Sequence, residues 1–135
     1  MLKKTITYTD YNGETRSEDF YFNLTKAEIM EMEMSVNGGM SEFMKKVAST
    51  QDAPTLIKLF KDLILRAYGE KSLDGKRFIK EDENGRKLAD DFKQTEAYSE
   101  LFMELAFDDV KAAEFVNGII PADMAKQLEA SKTLE

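Results

Sequence analysis

The chain has 135 residues, 42% hydrophobic and 33% charged, the composition of a folded globular protein and not of a disordered one. It has no Cys, His or Trp, which excludes disulfides, thiolate chemistry, the commonest general base and the commonest transition-metal ligand. The net charge of −7 is unevenly placed: residues 1–80 carry 13 Lys and Arg against 12 Asp and Glu, residues 81–135 carry 6 against 14, and such an acidic half repels phosphate backbones and favours a basic protein partner over nucleic acid.

One domain is expected over residues 1–135. Residues 3–22 read as a β-hairpin. Ile6 and Tyr8 alternate with Thr5 and Thr7, and Phe20 and Phe22 flank Tyr21, so one face is apolar. Asn12-Gly13 between the strands predicts a type I′ turn. Residues 25–69 read as three helices. Thr25 and Glu28 form a capping box for the first, which runs to about Ser35 with Ala27, Met30 and Met34 on one face. Gly38-Gly39 ends it, and a shorter helix over about 41–48 turns Phe43, Met44 and Val47 inward.

The third helix, about 54–68, starts at Pro54 and is stopped by Gly69. Leu56, Phe60, Leu63, Ile64 and Ala67 recur at helical spacing, widened by Ile57, Leu59 and Leu65. Residues 70–94 are irregular, with turns at Asp74-Gly75 and Asn84-Gly85. Arg77–Lys80 reads as a short strand in a second small hairpin or an excursion on the first sheet, and Leu88–Phe92 as a helical turn.

The C-terminal helices fill 95–130. Thr95 caps one that carries Tyr98, Leu101, Phe102 and Leu105 on its inner face. Asp108 caps the next, with Val110, Ala113 and Val116 inward and Gly118 at its end. Ile119 and Ile120 then lie outside helical register, and Pro121 opens a last helix whose apolar residues are Met124, Ala125 and Leu128. The fold class expected is α+β, mainly α: an N-terminal β-hairpin packed on a bundle of about five or six helices. No apolar run is long enough to span a bilayer, and Met1-Leu2-Lys3-Lys4 leads straight into polar sequence, so a cytosolic protein is expected.

Chemistry has few carriers. The adjacent pairs Asp90-Asp91 and Asp108-Asp109 and the row Glu96, Glu100 and Glu104 are the only enzyme-like features, and the row reads as a solvated helix face. Asp10 to Glu14 spaces its acids like a calcium loop, but Thr15 and Tyr21 stand where that loop needs Gly and Glu. Asp82 to Gly85 fails in the same way. No phosphate-binding glycine motif is present, so no catalytic residue, cofactor or metal is expected.

Binding is the better expectation. Five of eight methionines fall between residues 30 and 44, and Met-rich patches adapt to varied apolar surfaces. Met32 and Met40 lie off the core register and are the surface candidates. A second contact surface is read over Phe115, Ile119, Ile120, Met124 and Leu128, as an amphipathic terminal segment that either docks in a groove or folds back on its own domain.

Phe92, Gln94 to Phe102, and Phe115 to Pro121 (QTEAYSELF and FVNGIIP) also resemble the C-terminal part of tail assembly chaperones from long-tailed bacteriophages of Gram-positive hosts. The resemblance implies a chaperone that binds the tape-measure protein, a very long helical chain with apolar stripes. It would keep that chain soluble in the host cytoplasm until the major tail protein polymerises around it, and be absent from the mature virion. It implies self-association, and in many members a longer frameshifted form that recruits the major tail protein. The competing reading from the residues is an acidic interaction module or phage-encoded inhibitor that binds a basic protein site.

Overall fold

A computed structural model describes residues 1–35 and 53–121, apart from the side chains at 32–35, 53, 55 and 56. The hairpin pairs β1 (Leu2–Thr9) with β2 (Thr15–Phe22), in antiparallel register from Leu2↔Phe22 to Thr9↔Thr15. Ile6 and Phe22 are buried on its inner face, with Tyr8 and Phe20 partly buried beside them. The turn is not type I′, because only Gly13 has a positive φ, +82°. Asp10 sets the alternative. Its Oδ1 accepts the N–H groups of Asn12 and Glu14, each at 2.9 Å, and its carbonyl accepts the Gly13 N–H at 3.0 Å. Asp82 makes the same bonds to Asn84, Arg86 and Gly85, so one loop design is used twice.

The capping box forms as read. The Thr25 N–H donates to Glu28 Oε1 at 2.9 Å, and the Glu28 N–H donates to Thr25 Oγ1 at 3.1 Å, at the start of α1 (Lys26–Ser35). The inward residue is Ile29 and not Met30, which is 58% exposed. In α2 (Ala53–Ala67), Phe60, Leu63, Ile64 and Ala67 are buried at the expected spacing, while Ile57 faces out. The helix stops at Ala67. Gly69, expected to stop it, lies in the next strand with the Phe78 ring packed where a Cβ would stand.

That strand overturns the expectation of a mainly helical bundle with only an N-terminal hairpin. β3 (Tyr68–Lys71) joins β2 through Tyr21↔Gly69 and Phe22↔Tyr68, and β4 (Phe78–Ile79) joins β3 through Glu70↔Ile79 and Lys71↔Phe78. The sheet is antiparallel with four strands in the order β1-β2-β3-β4. The short strand expected at Arg77–Lys80 forms as β4, in a small hairpin that also extends the first sheet, and the helical turn expected at Leu88–Phe92 forms as α3 (Leu88–Phe92). Burying Tyr68 against Phe22 extends the sheet despite the weak strand propensity of Gly-Glu-Lys.

α4 (Glu96–Phe107) packs on β1 and buries Ala97, Leu101 and Leu105, with Thr95 Oγ1 accepting the Tyr98 N–H at 3.2 Å. α5 (Asp109–Ile119) starts at Asp108, whose Oδ1 accepts the N–H groups of Val110 and Lys111. Its buried residues are Ala112, Phe115, Val116 and Ile119: Val116 is inward as expected, whereas Val110 and Ala113 face out and Ala112 and Phe115 take the inner face. The helix runs through Gly118, because β1 lies against it there: a Cβ on Gly118 would stand 2.9 Å from Leu2 Cδ1.

The core between sheet and helices is aromatic at its centre. Phe92 stacks on Tyr68 at 4.2 Å and 6°, and meets Phe20, Phe22 and Tyr98 at 5.3 to 5.8 Å. Phe22 reaches Phe115 at 5.3 Å. Burial pushes the Tyr68 hydroxyl up to about 12, with Glu70 adding to the shift.

Candidate binding surface

The structure divides the seven residues read as contacts. Phe115, Ile119 and Ile120 belong to the core, with 2%, 0% and 4% exposure. Ile119 completes α5 and its carbonyl accepts the Leu24 N–H at 2.7 Å, so the apolar step before Pro121 is inward-facing packing and not a free surface. Met40, Met124 and Leu128 and the Met32 side chain lie outside the described residues, as do the helices expected over 41–48 and after Pro121. Most of the apolar residues in the words that carry the resemblance are buried too: Phe92, Ala97, Leu101, Phe115, Val116, Ile119 and Ile120. Their pattern records how the fold packs.

The exposed apolar surface that sequence reasoning missed is at the corner joining α4 to α5. Met103, Phe107 and Val110 are 49%, 80% and 67% exposed. Met103 and Phe107 are four residues apart, hence on one face of α4, and Val110 follows directly after the Asp108 cap. Val110 reads as inward from the sequence because Val110-Ala113-Val116 is itself a valid helical spacing. The only signal for the other register is that it places the larger Phe115 inside. Exposed Glu100, Asp109 and Glu114 flank this corner, with Lys111 beside Val110 paired to Glu104. An apolar patch with an acidic rim fits an apolar helix face bordered by Lys or Arg.

The acids otherwise have structural work. Glu104 pairs with Lys4 of β1 at 3.2 Å and Lys111 of α5 at 3.1 Å. Burial pushes its carboxyl up, but Lys111 and Lys4 outweigh this and hold it below its ordinary value. It is therefore a clasp between sheet and helices and not part of a solvated row. Asp91 pairs with Arg86, Asp90 with Lys93, and Asp108 is a cap. Among the described residues no three carboxylates are grouped to hold a metal ion.

A second polar feature lies by a cleft of about 510 Å³, whose lining includes Glu28, Glu31, Asp62, Arg66 and Lys80. Lys80 directs its ammonium to Glu28 Oε2 at 2.5 Å and to the carbonyls of Arg66 and Asn23 at 2.7 and 2.8 Å. Burial acts upward on the Glu28 carboxyl, and the Lys80 ammonium with the Thr25 amide brings it below its ordinary value. All three ammonium donors are committed within the fold, so this site is a tie between elements.

A family model described as phage tail assembly chaperone matches residues 1–134. No curated protein and no solved structure matches the chain.

Proposed function

Since the chain belongs to the phage tail assembly chaperone family, we propose that its client is the tape-measure protein and that it keeps this long helical chain soluble in the host cytoplasm during tail assembly. The observation that supports the reading most is the extent of the family match, which runs over both the sheet and the helices. A chaperone that releases its client again has to bind apolar helical stripes reversibly, through a limited exposed patch. Met103, Phe107 and Val110 supply such a patch, and the acidic surplus of residues 81–135 adds charge repulsion between coated clients. The proposal extends to self-association, and to recruitment of the major tail protein by a longer form of the chain.

Co-expression with tape-measure fragments tests the client. The soluble client fraction should rise, and the two chains should co-elute at high as well as low salt, since apolar contacts are not screened. Phe107→Asp, at a side chain 80% exposed, should leave folding intact and abolish co-elution. A folded protein that solubilises none of several fragments refutes the client. Binding that disappears as salt rises supports instead an acidic module for a basic protein site.

A further inference from the structure

Among the described residues β1 is an edge strand, with β2 on one side only. Proteins blunt such edges with short strands, proline, bulges or charge. The opposite edge, β4, is two residues long, whereas β1 runs for eight and contains no proline. Its charges, Lys3 and Lys4, sit at its start, and Thr5 to Thr9 carry none. Asp10 turns both its N–H and its carbonyl toward the loop, to Glu14 and Gly13. In an antiparallel ladder this direction alternates, so Tyr8, Ile6 and Lys4 bond β2, and Lys3, Thr5, Thr7 and Thr9 present their backbone groups at the free edge.

We propose that a second copy of this chain occupies that edge, with the two β1 strands antiparallel about a twofold axis at Ile6. This register places Thr5 of one copy opposite Thr7 of the other, and Lys3 opposite Thr9. All four free positions are then paired, with about eight backbone hydrogen bonds across the axis. Opposed residues share a face, so the hydroxyl-bearing outer face and the Ile6-bearing inner face both continue across the junction. Charge selects a second copy as the occupant. Lys4 is held by Glu104 and Asp10 by Arg16 within one copy, so the charges that meet across the junction are Lys3 at the start of one strand and Glu14 at the tip beyond the other, and antiparallel pairing sets them near each other and opposes no like charges. This deepens the self-association proposed above by giving it a surface and a register, and it is independent of the client.

The absence of cysteine makes the test direct. Thr5→Cys and Thr7→Cys are exposed single substitutions. Under mild oxidation a mixture of the two should cross-link to a covalent dimer faster than either alone, since only the mixture sets two cysteines directly opposite. Light scattering should give twice the mass of one chain for the parent protein. Thr7→Pro, which removes an N–H directed at the edge, should halve that mass while leaving the melting temperature close to the parent's. A dimer with no cross-link in the mixture, or one that survives Thr7→Pro, overturns this surface and leaves self-association standing. A monomer at all concentrations overturns both and leaves the client reading to the co-elution test.

Discussion

Replacing Lys80 with Met keeps the length and apolar stem of the side chain and removes its charge. The ammonium holds Glu28 Oε2 at 2.5 Å and two carbonyls, of Arg66 and Asn23, at 2.7 and 2.8 Å. These belong to α1, the last turn of α2 and the link between β2 and α1, so one group ties three segments to the chain after β4. Hydrogen bonds to charged groups contribute about 1.5–3 kcal/mol each when well buried. The Lys80 and Glu28 side chains are 23% and 33% exposed, so solvent screening brings the sum for Lys80→Met down to a loss of about 2–4 kcal/mol. For a chain of this size that corresponds to a fall in Tm of roughly 8–16 °C, read by calorimetry at neutral pH. The pH dependence has a defined sign. The Glu28 carboxyl is held below its ordinary 4.5, so its contribution is present above that value and is lost as pH falls through the folded pKa. The gap between parent and variant should therefore be widest at neutral pH and narrow below pH 4.5. A variant that melts within a degree or so of the parent would show that the ammonium contacts carry no net stability, and a gap that does not change on acidification would show that the Glu28 contact contributes none of it.

Phe92→Ala removes the ring that touches four others and should cost about 3–5 kcal/mol by denaturant unfolding; a loss below about 1 kcal/mol would mean that Tyr68 and Phe22 close the space. Gly118→Val drives a branched side chain into Leu2 and should destabilise by about 1–3 kcal/mol. Leu2→Ala should recover part of that loss in a double-mutant cycle, and strict additivity would contradict the contact.

What could be read in the chain was what depends on neighbours in sequence. The alternation of Ile6, Tyr8, Phe20 and Phe22, the Thr25–Glu28 box, the stripe through Phe60, Leu63, Ile64 and Ala67, and the caps at Thr95 and Asp108 all use spacings of two to four residues. What depended on distant partners was not legible. β3 forms because Tyr68 meets Phe22, although Tyr-Gly-Glu-Lys has little strand character of its own. Gly118 looks like a helix stop and is instead a recess for Leu2. In α5, Ala112-Ala113 and Phe115-Val116 are adjacent apolar pairs, so two registers fit the periodicity equally, and only packing against Phe22 selects the one that exposes Val110. The same shift takes Phe115 and Ile119 into the core and leaves Val110 outside, next to Met103 and Phe107 on the exposed face of α4.

The packing of β1 and β2 against α5 sets an order of events during synthesis. Leu2 rests on Gly118, Phe22 on Phe115, and the Leu24 N–H on the Ile119 carbonyl. A hairpin closes in about 1–10 μs, but a ribosome adds only about 5–20 residues per second. The first hairpin therefore waits seconds for its last partners, with Phe22 and Leu24 open to water on the nascent chain. Translation speed over the acidic second half thus governs how long a protein of the chaperone family is itself in need of protection.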